Sequence, residues 1–244
     1  MERLNVKPYK KNENYSYLFG AYAVLNLIEE KPEIIRGVLI HSQYDDDRKL
    51  IDLCRRNNIP YLISDKAINR LSDKENIYVI GIFNKYEMIL NKAEPHIVLV
   101  QPRDMGNLGT IIRTAAGFNI RNIAIIGPAA DIFHPKTLRA SMGALFSVQL
   151  QYFDSFLAYQ TQFPMHDFYP FMLKEASSLK MCVKNSSPLF SLIFGNEAAG
   201  LPDEFSTIGQ PIKIPQSHAV DSLNLSIAVG IAAYSFAFHH ELIT

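Results

Sequence analysis

The chain carries no excess charge of either sign. Its 24 Lys and Arg residues balance 24 Asp and Glu residues, and the isoelectric point is near neutral. That argues against a protein that coats nucleic acid through a global positive field. Cysteine is scarce. Cys54 and Cys182 stand far apart and outside any metal-like spacing, so a disulfide scaffold is not expected and both read as buried packing residues. No apolar run approaches the roughly 18–20 residues of a membrane span. Met1 to Lys11 is polar and basic without an apolar core. A signal peptide is therefore not expected, and the protein is expected in the reduced cytoplasm. Internal repeats and low-complexity tracts are missing as well.

What is present is an ordinary soluble composition, 48% hydrophobic and 20% charged, over 244 residues. That length holds one large or two small domains. In the first half, Leu18, Ala21, Tyr22, Leu25 and Ile28 repeat at helical spacing. Ile34 to Ile40, Ile59 to Ile63 and Ile77 to Phe83 read as strands. Asp45-Asp46-Asp47 is placed to start a helix through Leu50 and Cys54, with Asn57-Asn58 stopping it. Ser64 or Asp65 starts another that ends near Leu71. Lys7, Lys10, Lys11, Arg48, Lys49, Arg55 and Arg56 cluster in this half. They form either a local basic face or a set of solvated helix faces.

Asn84 to Pro95 has no clear period and reads as a linker. The second half restarts the alternation with His96 to Gln101, a continuous apolar run typical of a central parallel strand. A helix over Asn107 to Gly117 follows, then strands at Asn122 to Gly127, Phe146 to Tyr152, Phe190 to Phe194 and Pro211 to Pro215. Pro135 to Ala140 is a short helix with proline in its first turn. An apolar helix from Ser222 to about His239 closes the chain. Alternating strands and helices in both halves imply α/β architecture.

Three segments place polar side chains at the junctions of these elements. After the strand ending at Gln101, Gly106-Asn107-Leu108-Gly109 opens a helix, a geometry that offers free backbone N–H groups. It lacks the Gly-x-Gly-x-x-Gly spacing of a dinucleotide site. Arg113 lies one turn beyond Gly109 on the same side of that helix. Next, the buried strand ending in Phe194-Gly195 delivers Asn196 and Glu197 to its carboxyl end, where open α/β sheets bind ligands. Last, Ser222-Leu223-Asn224-Leu225-Ser226 begins the final helix. Asp221 or Ser222 serves as its cap, which leaves Asn224 and Ser226 without a capping role. His218 and the His239-His240 pair have no metal-like spacing, and no metal is expected.

In this order, Asn-x-Gly-x-x-x-Arg, Gly-Asn-Glu-x-x-Gly-Leu and Ser-Leu-Asn-x-Ser closely resemble the SpoU (TrmH-like) family of RNA 2′-O-ribose methyltransferases. Arg139-Ala140-Ser141-Met142-Gly143-Ala144 resembles a fourth stretch of that family. The resemblance covers His96 to the C-terminus. The first half, with Tyr17 to Leu25 near its start, resembles the family's L30e-like substrate-binding domain, although the usual Gln-Gly motif before the linker is missing. The resemblance thus divides the chain into an L30e-like α/β domain over 1–88 and a catalytic domain over 94–244. The latter would be a SPOUT α/β trefoil knot with a parallel sheet.

The family's members are dimers, and the apolar closing helix suits an interface. S-adenosylmethionine is the implied cofactor, held at Phe194, Gly195, Asn196, Gly200, Ile214, Leu223 and Asn224. Asn107, Arg113, Glu197, Ser222 and Asn224 are the implied reaction site. Arginine is a poor base, because its pKa exceeds about 12. Arg113 is therefore expected to hold an RNA phosphate and stabilise the developing alkoxide. Asn107 and Asn224 would orient ribose and cofactor, and Glu197 would position Arg113 or other polar groups. The implied partner is RNA, ribosomal rather than transfer RNA, with neither membrane nor metal. A tRNA methyltransferase and a non-catalytic RNA-binding protein on the same fold remain alternatives. A Rossmann oxidoreductase ranks behind them, because the glycine fingerprint is absent.

Overall fold

The computed structural model describes residues 7–72, 76–173 and 176–244; the first six residues of the basic terminus lie outside them. In chain order the elements begin with β1 (Tyr15–Phe19), α1 (Ala21–Glu30), β2 (Ile35–Ile40), α2 (Asp47–Arg56), β3 (Tyr61–Ile63), α3 (Asp65–Leu71) and β4 (Val79–Asn84). There follow β5 (His96–Val100), α4 (Met105–Gly117), β6 (Asn122–Ile126), α5 (Pro135–Ser141), β7 (Gln149–Phe153), α6 (Phe156–Gln162) and β8 (Asp167–Pro170). The chain ends with β9 (Ser177–Ser178), α7 (Leu179–Lys184), β10 (Phe190–Phe194), β11 (Ile212–Lys213) and α8 (Leu225–His239).

Two compact units result. The first comprises Met1–Glu87 together with Asp131–Phe146, and the second Met88–Ala130 with Ser147–Thr244. The first unit is built on a four-stranded mixed sheet in the order β1-β4-β2-β3. Helical spacing predicts a helix that includes Leu18, but Leu18 lies in β1 and pairs with Gly81. Gly20, with φ of +104°, breaks the chain between β1 and α1. Tyr17, Phe19, Leu39, Ile80 and Ile82 form one core with Ile68 of α3. The start of α3 follows the expected chemistry, with Ser64 accepting the Ala67 N–H, whereas Asp46 before α2 makes no side-chain cap bond. The Asp131–Phe146 segment joins this unit through α5, which packs on β1. Ser16 donates to the Phe133 carbonyl, and the Arg139 guanidinium lies 5.0 Å from the centre of the Phe19 ring.

The second unit is a five-stranded sheet, parallel throughout, in the order β7-β6-β5-β10-β8. Its central strands β5, β6 and β10 are buried along their whole length, as expected of parallel strands covered on both faces. On one face Val98, Val100, Ala124, Ile126 and Ile193 meet Tyr159 of α6 and the nearby Phe163. Ile97 and Leu99 alternate to the other face and are fully buried. There α4 packs on α8, and α8 on β10 and α7.

Residues between Phe153 and Leu189 carry no periodic signal in the sequence, yet they form α6, β8, β9 and α7. β8 contains Pro170, which reads against a strand. It is tolerated because β8 is the last strand of this sheet, where the side away from β10 needs no N–H from residue 170. Among the described residues no helix is long and apolar enough to cross a membrane.

Candidate functional site

The strand order creates the site. From β5 the chain moves outward through β6 and β7, then returns on the other side to fill β8 and β10. β5 and β10 are therefore neighbours whose following segments diverge, and a crevice opens beyond their carboxyl ends. A cavity of about 230 Å³ lies there. Its walls are Phe171, Met172 and Leu173 after β8, the Phe194–Gly200 turn after β10, and Ile212, Ile214 and Gln216 on and after β11. Ser222, Leu223, Leu225 and Ala228 complete it at the start of α8.

Each wall has a local cause. Phe171 and Phe194 stack with ring centroids 4.4 Å apart and planes 13° from parallel, giving a flat apolar surface. After β10 the chain turns back on itself: Asn196 N–H donates to the Gly200 carbonyl at 3.2 Å, and Gly200 N–H returns to the Asn196 carbonyl at 2.9 Å. The turn demands glycine at 195, since a Cβ there would sit 2.0 Å from the Gly200 carbonyl carbon. The Asn196 Oδ1 accepts from Ala198 N–H at 2.9 Å and from Ala199 N–H at 3.3 Å, which stiffens the turn.

The polar residues of the three sequence segments meet at the rim. The Glu197 carboxylate accepts from the backbone N–H groups of Arg103 at 3.1 Å and Asp104 at 3.0 Å. The Asn107 amide donates to it at 3.5 Å, and the Asn224 amide donates to the Asn107 Oδ1 at 3.2 Å. Asn196 reaches across to the Gln101 carbonyl at 2.8 Å. Ser222 lies on the cavity wall. Arg113 stands apart. It is exposed, six residues along α4 from Asn107, which is about 9 Å of helical rise. No carboxylate among the described residues pairs with it.

Of the residues expected to hold a cofactor, Phe194, Gly195, Asn196, Gly200, Ile214 and Leu223 all line the cavity. Asn224 does not; its side chain faces α4 and its own helix. Two expectations need correction. The cap of α8 is neither Asp221 nor Ser222 but Asn224, whose Oδ1 accepts from the Ser226 N–H at 2.9 Å and hydroxyl at 2.7 Å. The helix starts at Leu225 because the Asn224 side chain satisfies a free N–H of its first turn. α4 likewise starts at Met105, two residues early, since the Asp104 carboxylate caps it by accepting the Asn107 N–H at 2.7 Å. Of the two roles expected for Glu197, its carboxylate contacts other polar groups, the loop before α4 and Asn107, and not Arg113.

Sequence reasoning missed Phe171, Met172, Leu173 and Gln216. The first three follow the unassigned strand β8. Gln216 belongs to a loop closed by its own side chain, which donates to the Asp221 carbonyl at 3.1 Å. Among the described residues no three His, Cys, Asp or Glu side chains are grouped to hold a metal ion.

A stacked aromatic pair, a tight glycine-bearing turn and a polar rim at the switch point of a parallel sheet are the features of a protein that binds a nucleotide-like ligand beside a second, polar substrate. The chain belongs to the SpoU rRNA Methylase family, whose pattern matches residues 94–234. It is similar to the 23S rRNA (guanosine(2553)-2′-O)-methyltransferase RlmP of Bacillus subtilis, at 25% identity over 96% of this chain and 92% of that one. An uncharacterised tRNA/rRNA methyltransferase of Synechocystis is 29% identical over 71% of this chain, a match spanning 65% of that relative's length. Among solved structures, an AdoMet-bound rRNA methyltransferase from Sinorhizobium meliloti superposes with a TM-score of 0.81 at 25% identity. It covers 95% of this chain and 89% of its own.

Proposed function

We propose that this protein transfers a methyl group from S-adenosylmethionine to a ribose 2′-hydroxyl of RNA, with ribosomal RNA as the substrate. The observation that carries the reading is the meeting of Asn107, Glu197 and Asn224 at the rim of a cavity walled by Phe194–Gly200 and Leu223. The residues present suit the cofactor. The Phe171–Phe194 pair gives the cavity an apolar aromatic wall for a base, and residues 197–200 of the adjoining turn are exposed beside it. S-adenosylmethionine, when bound, supplies a methyl group already activated by a sulfonium centre. The protein must then align the ribose oxygen with that methyl and ease loss of a poorly acidic proton. Arg113 has no carboxylate partner among the described residues and serves by holding a backbone phosphate and stabilising the alkoxide as it forms. Ser222, on the cavity wall, orders the cofactor side, and Asn107 with Asn224 the ribose side.

Two relatives similar over nearly the whole chain act on, or are named for, ribosomal RNA, which favours that substrate over transfer RNA. We assign the first unit to reading the RNA, as an L30e-like domain would. Its basic residues do not form one patch: Arg48, Lys49, Arg55 and Arg56 lie on α2, which leads into the β3 edge of the sheet. Lys11 instead sits with Lys85, which follows β4 next to the opposite edge strand, β1. The C-terminal segment is read as threaded into the trefoil knot of its family, the chain as a homodimer, and its place as the cytoplasm with its RNA. The test is methyl transfer from labelled S-adenosylmethionine to 23S, 16S and transfer RNA, followed by mapping of ribose methylation. Label in ribosomal RNA at a ribose 2′-oxygen is expected. Label only in transfer RNA would move the substrate. Failure to bind S-adenosylmethionine in calorimetry would favour a non-catalytic RNA-binding protein.

A further inference from the structure

We infer that Glu197 is a positioning residue, and that its carboxylate couples occupancy of the cofactor cavity to organisation of the RNA side of the site. The inference rests on the function proposed above. Glu197 stands in the turn that walls the cavity, but its carboxylate points to the loop between β5 and α4. Oε2 receives Arg103 N–H at 3.1 Å and the Asn196 amide at 3.4 Å. Oε1 receives Asp104 N–H at 3.0 Å and the Asn107 amide at 3.5 Å. A carboxylate has about four acceptor sites, and four donors occupy them. Held by two backbone N–H groups at ordinary length and two more distant amides, the carboxylate is tied to the loop, which suits positioning rather than taking the ribose proton.

Its anchoring role follows from what it grips. The two backbone N–H groups immediately precede α4, where a negative charge also favours the helix start. The adjacent Asn196 holds the Gln101 carbonyl at 2.8 Å, and Gln101 has φ of +52°, a left-handed conformation that needs such support. From Asn107 the chain of bonds continues to Asn224 and the start of α8. A ligand that orders the 194–200 turn therefore also orders Gln101–Asn107 and the base of the helix that carries Arg113. By linkage, cofactor and RNA must each strengthen the binding of the other.

The experiment measures affinity for in-vitro-transcribed 23S rRNA with and without saturating S-adenosylhomocysteine, in the wild type and in Glu197→Gln. The glutamine offers one oxygen and one NH2 group to two backbone donors, so it cannot replace the carboxylate. RNA affinity of the wild type is expected to rise at least about 5-fold with the cofactor product, the lower end of ordinary coupling. In E197Q the ratio should fall close to one. The pH–rate profile of E197Q should keep its shape at a lower plateau. A coupling that survives in E197Q, or a lost low-pH limb in its profile, would overturn the inference. Hydrogen exchange at the Arg103 and Asp104 amides of the wild type gives a measure that needs no variant. Slower exchange with S-adenosylhomocysteine is expected, and unchanged exchange would overturn the inference. Calorimetric binding of S-adenosylmethionine alone separates this outcome from failure of the proposed function. A wild type that binds it without coupling to RNA loses the inference and keeps the function.

Discussion

At the residue scale, Arg113 and Gly195 mark two ways a side chain can matter. Arg113 is exposed and makes no hydrogen bond or ion pair among the described residues, so the fold does not depend on it. Arg113→Ala should leave the melting temperature within about 1 °C of the wild type, because exposed, unpartnered positions tolerate change. Methyl transfer should drop by about 100-fold or more, the usual cost of removing a preorganised charge from a transition state. A folded variant with full activity would remove Arg113 from the reaction. Gly195 is the opposite case. A methyl at this position meets the Gly200 backbone at 2.0 Å, and the turn cannot close. Gly195→Ala should reduce S-adenosylmethionine affinity at least about 10-fold in calorimetry, with a measurable loss of stability. Asn224 combines both roles, since one oxygen caps α8 while the amide reaches Asn107. The sequence shows a surplus of polar groups here, but it does not show that cap and rim share one residue.

At the element scale, the amino end of β5 holds a buried pair of imidazoles remote from the site by the full length of the strand. His96 has no exposed surface. Its Nε2 faces the Asn91 carbonyl at 2.9 Å and so carries the hydrogen, while Nδ1 accepts from the Tyr159 hydroxyl at 2.8 Å. His166 lies against it, with ring centroids 4.3 Å apart. Burial pushes the His96 pKa down to about 3, against the pull of the Asn91 carbonyl and with help from His166. Burial lowers that of His166 too. In the unfolded chain both return to about 6.5. Between those values the unfolded state binds more protons, so stability is complete above about pH 6.5 and is lost as the pH falls toward 3. The urea midpoint should decline steadily from pH 6.5 to pH 4. A flat midpoint over that range would show that His96 is not held neutral.

The same scale shows where reading stops. α2, α3, β4, β5 and β6 are legible because capping residues and apolar runs coincide. β8 is not, because Pro170 conceals a strand that only its edge position permits. Losing β8 also hides Phe171, half of the aromatic surface of the cavity. The missed contacts of Glu197 have a different cause. Its partners are backbone N–H groups some 90 residues earlier, and backbone groups carry no sequence label.

At the scale of the whole molecule, α8 is apolar around most of its circumference but covered on only part of it. Ile227, Tyr234 and Phe238 are each at least half exposed, and Ile231 lies between them on the same stripe. Tyr234 and Phe238 stack with centroids 5.8 Å apart, and Phe118 joins Tyr234 at 5.7 Å. A second copy of the chain is the cover we propose. Light scattering should give twice the chain mass of 27.6 kDa. Tyr234→Arg with Phe238→Asp should shift the protein to the monomer with α8 still folded. A wild-type monomer at micromolar concentration would refute the dimer.

The amino-acid sequence by itself determined the α/β class, most of the central strands and the identity of the polar residues at three junctions. Those depend on local matters, namely burial periodicity and the capping chemistry of short segments. Tertiary structure alone decided that β10 inserts beside β5, which brings Asn196 and Glu197 against Gln101–Asn107. It also decided that the Asp131–Phe146 segment packs with the first unit rather than with its chain neighbours. Both are long-range pairings, selected by the whole set of buried surfaces together, and no window of the sequence contains that information.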